Sequence, residues 1–330
     1  MVTDERLDEI VKAIKAELKL EIDFGNNELY SNKRISTGLP ALDNILGGGV
    51  VRRGITVLYG GESSGKSWLT LRLIASAQAQ GLTCALVDTE YSYDRDWAAL
   101  NGVDTEKLLI AQTSLGEKAL NFVLGLVRQE VDLVVYDSIA QTLPEDEADT
   151  DMAKQFMGLQ PRLMNKFFRK VPDANINSAI VMINQTRVAI GKPSPFPGYE
   201  PVSLPGGKGQ YFVPKILAEI KRGPFLYNKG ESKKTKQAPI GFTVKVETPK
   251  NKTSIPLQFC EIPAYFTGDI DIEAELFSVG ISIGVIIQNG AFYTYSGVKI
   301  KGRNNFIEML REDEDFYGRL TEEIDKVTGD

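Results

Sequence analysis

A glycine-rich octapeptide in the first quarter of the chain has the residue types and spacing of a phosphate-binding loop. It comprises Gly60, Gly61, Glu62, Ser63, Ser64, Gly65, Lys66 and Ser67, which is a glycine, four residues and then Gly-Lys-Ser. Successive backbone N–H groups at the start of a helix form a concave positive site for phosphate. In such a loop the lysine reaches the β- and γ-phosphates, and the serine hydroxyl ligates Mg²⁺. The motif therefore predicts a nucleoside triphosphate site.

Carboxylates follow two apolar, strand-like segments elsewhere in the chain. Asp137 ends one segment, while Asp88 lies within another and Glu90 stands just after it. In an open parallel sheet the carboxyl ends of the strands face the ligand crevice, so Asp137 is predicted to help hold Mg²⁺. The chain contains no histidine, so a carboxylate must act as the base or orienting group for water. Glu90 is the preferred candidate, and Asp88 is the competitor with a structural hydrogen-bonding role.

The elements that must position these residues alternate between strand and helix from Gly54 onward. Helical stretches such as Ser67–Gln80 and Gly116–Arg128 separate short apolar runs. The predicted strands are Ile55–Tyr59, Cys84–Asp88, Leu108–Gln112, Leu133–Asp137 and Ala179–Asn184. Residues 240–262 are predicted to add later strands. Such alternation predicts an α/β fold with a mostly parallel sheet covered by helices on both faces.

Composition and charge narrow the classes of function. The 330 residues are 42% hydrophobic and 25% charged, as in ordinary globular proteins, and no apolar run is long enough to span a membrane. The charged N-terminus does not resemble a signal peptide, so a cytoplasmic protein without a membrane partner is expected. Cys84 and Cys260 lie in strand-like stretches, where they read as buried hydrophobes rather than as a disulfide or a metal site.

The negative net charge does not exclude a nucleic-acid partner. Residues 308–330 contain nine acids and three bases, which accounts for the whole net charge of −6. Residues 1–307 are therefore formally neutral, and local basic patches are possible there.

Three further segments bear on the organisation of the chain. Residues 3–20 place apolar side chains at helical spacing, either to fold on their own domain or to meet a neighbouring subunit. The stretches Leu143–Lys154 and Gly191–Gly207 are long and irregular, and such loops inside a compact domain are usually functional or disordered.

The ordered set of these motifs resembles the RecA family of recombinases. The resemblance covers roughly residues 35–300, in the family's order and nearly its spacing. It is carried by residues 60–71, 83–90, 101–104, 131–138, 157–159, 183–185 and 206–207.

The resemblance implies a fold and a function. It implies a RecA-like P-loop ATPase core over residues 34–262, with DNA-binding loops in it. An N-terminal polymerisation helix and linker occupy 1–33, and a small α+β domain that captures duplex DNA occupies 263–330. The implied protein forms a filament on single-stranded DNA, pairs it with homologous duplex and promotes strand exchange, with DNA-stimulated hydrolysis of ATP and Mg²⁺ as the metal ion.

The resemblance also assigns roles within the ATP site. Glu90 matches the family's catalytic glutamate, which agrees with the choice made from its place at a strand end. Asp94 and Trp97 match residues that contact adenine, with tryptophan replacing the usual tyrosine. Gln185 matches a glutamine that senses the γ-phosphate. Lys250 and Lys252 match two lysines that reach the ATP of the neighbouring subunit; without the resemblance they would read as solvated charges on a turn.

The two long stretches become the first and second DNA-binding loops, about 145–157 and 187–208. The residues expected to contact DNA are Arg162, Arg169, Arg187, Ile190, Gly206, Gly207 and Lys208. The second loop is about four residues longer than the family's, and Lys208 replaces an asparagine. Phe196 and Tyr199 are possible stacking groups in it. Both differences put the detailed contacts of this loop in question.

In the last module a basic cluster of Lys299, Lys301 and Arg303 matches the duplex-capturing region. The acidic end either competes with DNA for this cluster or is simply a solvated helix. A divergent copy of this kind suits a bacteriophage as well as a bacterium.

Other functions share this fold. The chief alternative is a RecA-related, DNA-dependent ATPase that acts as a loader or regulator without strand exchange. A hexameric helicase or a small-molecule kinase is a further alternative, although a kinase acceptor pocket is not apparent and a helicase usually carries an arginine finger. A last alternative is a DNA-binding scaffold in which hydrolysis only resets the filament, a role that would survive Glu90→Gln.

Overall fold

A computed structural model describes residues 4–18, 22, 24–26, 31–149, 158–188, 202–228 and 237–328. The contacts divide the chain into two units, Met1–Lys33 and Arg34–Asp330. No helix in the described ranges is long and apolar enough to cross a bilayer.

The strands of the described ranges follow one another closely along the second unit. In chain order they are β1 (Arg34–Ile35), β2 (Val50–Val51), β3 (Gly54–Gly60), β4 (Cys84–Asp88), β5 (Leu108–Gln112), β6 (Leu133–Asp137), β7 (Ala179–Gln185), β8 (Arg187–Val188), β9 (Val202–Ser203), β10 (Ile216–Leu226), β11 (Gly241–Asn251), β12 (Gln258–Tyr265), β13 (Ile287–Asn289), β14 (Phe292–Tyr295) and β15 (Val298–Lys301).

The helices alternate with these strands through the centre of the chain. They are α1 (Asp4–Leu18), α2 (Pro40–Leu46), α3 (Lys66–Ala79), α4 (Arg95–Leu100), α5 (Gly116–Arg128), α6 (Glu145–Ala148), α7 (Leu159–Ala174), α8 (Gly209–Phe212), α9 (Ile272–Ser282), α10 (Arg303–Glu312) and α11 (Glu314–Thr328), with a 3-10 turn at Ile139–Gln141.

The first unit contains the amphipathic helix α1. Its apolar side chains recur at the predicted helical spacing, with charged residues between them. Leu7, Ile10 and Leu18 are exposed, so this helix presents an apolar stripe.

An eight-stranded sheet forms the framework of the second unit. Its order is β12-β11-β10-β3-β7-β6-β4-β5, and all pairs from β10 to β5 are parallel. The strands β11 and β12 extend it as antiparallel neighbours at one edge. The α/β class and mostly parallel sheet predicted from the alternating pattern are confirmed, as are all five predicted strands to within a residue at each end.

Side chains of the central strands alternate between two apolar layers. In β6, Leu133 and Val135 pack with α2 and α3 on one face, whereas Val134 and Tyr136 pack with α5 and α7 on the other. Strands buried on both faces read as continuous apolar runs, which is why these segments show no alternation of apolar and polar residues. The sheet is thereby held rigidly between two helical layers.

The C-terminal elements build a smaller α+β module around an aromatic cluster. The hairpins of β13, β14 and β15 are antiparallel. Phe277, Tyr293, Phe306 and Phe316 contact one another in edge-to-face or tilted pairs between this sheet and the helices α9, α10 and α11, with ring centroids 4.9–6.4 Å apart. The strand β12 continues to Tyr265 and therefore crosses the predicted domain boundary between residues 262 and 263. That boundary stays a prediction.

A buried carboxylate connects α9 to the start of α2. The Glu275 Oε2 atom accepts a hydrogen bond of 2.9 Å from the Ala41 N–H, while its Oε1 atom has no partner in the part of the chain that the structure describes. Glu275 is fully buried, and this burial raises its pKa from 4.5 to about 7. The carboxyl is therefore more easily protonated in the folded protein than in the unfolded chain.

The Glu275 site predicts that stability falls with rising pH. Because the folded pKa lies above the unfolded one, the contribution of this group is complete below pH 4.5 and is lost as the pH rises through about 7. At pH 8, Glu275→Gln should therefore raise the free energy of unfolding by about 2–3 kcal/mol, with little change at pH 4.5. Thermal unfolding at both pH values measures this, with exposed Glu322→Gln as the control. A gain of equal size at both pH values would contradict the prediction.

Candidate nucleotide site

The phosphate-binding loop lies between β3 and α3, at the carboxyl end of a central strand. Gly60 is in register with Gln185 of β7 on one side and Ile220 of β10 on the other. A Cβ atom on Gly60 would lie 2.0 Å from the Ile220 carbonyl oxygen, so glycine is required there. Gly65 has a φ of 101°, a conformation that favours glycine, and it caps the start of α3. The loop thus turns sharply and presents the N-terminus of α3 to the crevice.

The Lys66 ammonium lies against the backbone of this loop. Its ammonium donates to the carbonyl oxygens of Gly60 at 3.2 Å and Gly61 at 2.6 Å. Burial lowers the lysine pKa, against the attraction of Asp137, Glu90 and Glu62. The ammonium is therefore held in the loop, where phosphate oxygens would meet it.

Ser67 and Asp137, which the sequence predicts to ligate a metal ion, lie next to each other. The Ser67 hydroxyl donates to Asp137 Oδ2 over 3.3 Å. Burial, together with the negative charges of Glu90 and Asp88, raises the pKa of Asp137 to about 7. A hard divalent cation shared with phosphate oxygens would relieve this repulsion, and a hydroxyl with a carboxylate suits such a cation. No cluster of three or more protein carboxylates or cysteines able to hold a metal occurs in the described ranges.

Asp88 has the structural role that competed with a catalytic one. Its two carboxylate oxygens accept hydrogen bonds from the Glu90 N–H, the Tyr93 N–H and the Gln112 side-chain amide, each at 3.0 Å. Asp88 is fully buried. It fixes the segment that follows β4 and is not free to bind water.

Glu90 lies between the ends of two other strands. Its Oε1 atom accepts hydrogen bonds from the Ser138 hydroxyl and, at 2.9 Å, from the Gln185 side-chain amide. Ser138 follows β6 and Gln185 ends β7, so one carboxylate oxygen joins the ends of three neighbouring strands. The structure therefore brings Glu90, Gln185, Asp137 and the phosphate-binding loop into one site.

An aromatic cleft of about 450 Å³ adjoins the loop. It is lined by residues 63–68 and by Trp97, Arg222, Phe225, Phe242, Ala264, Tyr265 and Phe266. Asp94 is the N-cap of α4 and accepts a hydrogen bond of 2.7 Å from the Trp97 N–H, which positions the indole at the cleft. Trp97, which the resemblance assigns to adenine, lines this cleft, and its role stays a prediction. Tyr265 and Phe266 were not predicted, because nothing in the spacing of the β12 residues points to a ligand.

Lys250 and Lys252 are not among the residues that line the cleft beside the phosphate-binding loop of their own chain. Lys250 pairs with Leu217 near the start of β10, whereas Gly60 of the loop pairs with Ile220 further along the same strand. Lys250 donates to the carbonyls of Tyr211, Phe212 and Pro214, and Lys252 donates to that of Phe212. Burial and the charge of Lys252 lower the pKa of Lys250 to about 8. Lys250 therefore belongs to a strand that fastens the end of α8, rather than to a free turn.

The residues expected to contact DNA fall into two groups around α7 and α8. Arg162 and Arg169 are exposed on α7, and Arg187 and Lys208 are exposed at the two ends of the second long loop. Ile190 lies outside the described residues, as do Phe196 and Tyr199. The first long stretch, predicted to be irregular, contains the short helix α6.

The adjacent glycines Gly206 and Gly207 both have left-handed backbones. A Cβ on Gly206 would lie 2.6 Å from Ile139 Cγ2, and one on Gly207 would lie 2.9 Å from Pro161 Cβ. Tight packing between the two loop bases therefore accounts for both glycines without a ligand.

Comparison with known proteins gives a consistent result over nearly the whole chain. A family model described as the RecA N-terminal domain matches residues 4–271, and one described as the RecA C-terminal domain matches residues 274–329. Protein RecA of Campylobacter fetus subsp. fetus is 37% identical over 313 residues, which is 93% of this chain and 88% of the relative. Protein RecA of Helicobacter pylori (strain P12) is 35% identical over 314 residues, 93% of this chain and 87% of the relative.

The aromatic cleft predicts that Trp97 contributes to nucleoside affinity. Trp97→Ala should weaken ADP binding by about tenfold, because stacking of a base on an aromatic ring is lost. Inorganic triphosphate has no base, so its affinity should be unchanged. Calorimetric titration of both ligands, with Trp97→Tyr as the conservative variant, measures this. An equal loss for the two ligands would instead indicate damage to the phosphate-binding loop.

Proposed function

This chain belongs to the RecA family of DNA-dependent ATPases, which form filaments on DNA and carry out strand exchange, and we propose that its ATP site is completed by a second subunit and is controlled through Glu90. The observation that carries this proposal is the shared carboxylate oxygen of Glu90. It is bonded both to Ser138, beside the predicted metal ligand Asp137, and to Gln185, at the strand that leads into the second loop.

In this proposal the loop residues bind the phosphates of ATP. The backbone N–H groups and the N-terminus of α3 hold the phosphate oxygens, and Lys66 reaches the β- and γ-phosphates. Ser67 and Asp137 would hold Mg²⁺, which neutralises charge on the phosphates when it is bound. Trp97, Tyr265 and Phe266 enclose the base.

Glu90 is the proposed general base or water-orienting group. It is the one acidic side chain of this site whose carboxylate is bonded to side chains from two further strand ends, whereas Asp88 is used by three structural hydrogen bonds. Gln185 would exchange its bond to Glu90 for one to a γ-phosphate oxygen. That exchange would free the carboxylate to accept a proton from water.

Two surfaces support assembly with further copies of the chain. The strand β5 is an edge of the large sheet, and Leu109 and Ile110 on it are exposed. An exposed apolar edge is a template for another chain, and helix α1 presents an apolar stripe that a second copy would cover. Lys250 and Lys252 would then reach the nucleotide of the adjacent subunit.

Single-stranded and double-stranded DNA are the proposed partners. Arg162 and Arg169 on α7, with Arg187 and Lys208 at the second loop, would bind phosphates, while base pairing between strands reads the sequence. Lys299 and Lys301 are exposed on β15 and would attract duplex. Arg303 is partly engaged, since it pairs with Glu261 at 3.2 Å.

ATP hydrolysis and strand exchange, measured on the same preparation at fixed salt, test this function. Single-stranded DNA should stimulate hydrolysis by the wild-type protein severalfold or more. Glu90→Gln should reduce kcat by about 100-fold while ATP binding and pairing of homologous strands persist. Stimulated hydrolysis without strand exchange would favour a loader or regulator. Hydrolysis indifferent to DNA would contradict the proposed control by DNA in this chain.

Mixing experiments test whether the site forms between subunits. Lys66→Ala and Lys250→Ala should each be inactive alone, because each lacks one half of every site. In a head-to-tail mixture about a quarter of the interfaces combine two intact halves, so activity should reappear. Lys66→Ala mixed with Glu90→Gln is the control, because both changes affect the same half. Activity that stays absent in the first mixture would contradict the assignment of Lys66 and Lys250 to opposite halves of the site.

A further inference from the structure

A buried glutamine fastens the exit of the second loop. Gln210 on α8 is fully buried, and its side-chain amide donates to the carbonyl oxygens of Leu204, Pro205 and Gly207 over 2.6–3.2 Å. Its Oε1 atom accepts a hydrogen bond of 2.7 Å from the Asn184 side chain. Three carbonyls of one short segment therefore share a single amide donor, and the Pro205 carbonyl also accepts from the Asn184 side chain at 2.9 Å.

A second glutamine holds the exit of the first loop in the same way. Gln160, near the start of α7, donates to the carbonyl oxygens of Ile139, Ala140 and Thr142 over 2.9–3.3 Å. These carbonyls belong to the turn that directly follows Ser138. The end of the first loop is thus tied to the segment between β6 and α6.

Both attachments continue to the same carboxylate. Asn184 bonds to Gln210 and also accepts from the Gln185 N–H at 2.9 Å, and Gln185 donates to Glu90. On the other side, Ser138 donates to the same Glu90 oxygen. Two routes, one from each loop exit, therefore end on one atom, each made of side-chain hydrogen bonds and a short stretch of backbone.

The two loop exits are also packed against each other. Gly206 and Gly207 lie so close to Ile139 and Pro161 that no side chain fits between them. A polar cleft of about 440 Å³ is lined by the exit of the first loop, by the turn after β6, by Arg187 at the start of the second loop and by Thr89, the neighbour of Glu90. Displacement of one exit must therefore move the other, because close-packed groups do not deform independently.

We propose that Gln160 and Gln210 are positioning residues that transmit the occupancy of the two loops to Glu90. This inference rests on the proposed function, since it assumes that the loops bind DNA and that Glu90 acts on water. Neither amide lies among the groups that would touch ATP. Gln160 sets the position of Ser138, and Gln210 sets that of Gln185. Both of these residues donate a hydrogen bond to the Glu90 carboxylate.

The test compares kcat for ATP with saturating single-stranded DNA and without DNA. Gln210→Leu and Gln160→Leu retain side-chain volume but remove the amide donor that three carbonyls share. Each should lower the ratio of stimulated to basal kcat by about 5–10-fold, with basal kcat and ADP affinity within about twofold of wild type. Gln78→Leu is the matched control, because the Gln78 amide fastens Asp104 through two bonds of 2.9 Å away from both loops. Its ratio should stay that of the wild type.

A glutamate variant of Gln210 separates transmission from simple loss of packing. In Gln210→Glu the ionised carboxylate would repel the three carbonyls, whereas the protonated acid donates one hydrogen bond to them. Relative to wild type, its stimulation ratio should therefore recover at pH 6 and fall at pH 8. The ratio of Gln210→Leu relative to wild type should not change with pH. Equal pH behaviour of the two variants would overturn the proposal for Gln210.

The outcomes distinguish this inference from the function on which it rests. If the wild-type protein is not stimulated by DNA, the proposed function fails first. If the wild type is stimulated and both leucine variants keep its ratio, the function stands and the inference is overturned. If the ratio recovers at higher DNA concentration, the glutamines affect DNA affinity alone, and the inference is likewise overturned.

Discussion

The parallel register of β3, β7, β6 and β4 is the constraint on which the rest of the structure depends. These strands run side by side in one direction, so their carboxyl ends meet along a single edge. The phosphate-binding loop, Gln185, Asp137 and Glu90 come from four different strands and meet because of that register. A slip of one residue in any strand would turn its terminal side chain to the opposite face. The two apolar layers resist such a slip, since every second side chain is committed to one of them.

Negative charge is concentrated at this edge of the sheet. Asp88, Glu90 and Asp137 lie close enough to one another for burial and mutual repulsion to raise the pKa of Asp137 to about 7. Asp88 is stabilised by three protein donors, and Lys66 offsets part of the remaining charge. A metal ion with phosphates would satisfy the rest. Binding of a cation at this edge would therefore relieve the mutual repulsion of the carboxylates.

The large elements and the phosphate chemistry were predictable from sequence, whereas the connections between them were not. Buried strands and the glycine-lysine loop are local patterns, and both lie in the structure at the positions predicted from the sequence. Tyr265, Phe266 and the two glutamines carry no local pattern, because their roles arise from segments distant in the chain. Lys250 illustrates the same limit, since its partners in α8 are about forty residues earlier. The roles predicted for Ile190, Phe196 and Tyr199 in the second loop remain predictions.

The aromatic cleft has a consequence for how this protein can be observed. Trp68 and Trp97 are the only two tryptophans of the chain, and both line the cleft beside the phosphate-binding loop. Indole emission responds to the polarity and stacking of its surroundings, so nearly all of the intrinsic long-wavelength fluorescence originates at one place. The unlabelled protein therefore contains its own optical probe, with no dye on the nucleotide or on DNA. Each cycle of nucleotide exchange in an assembling filament would therefore change the wavelength of its tryptophan emission.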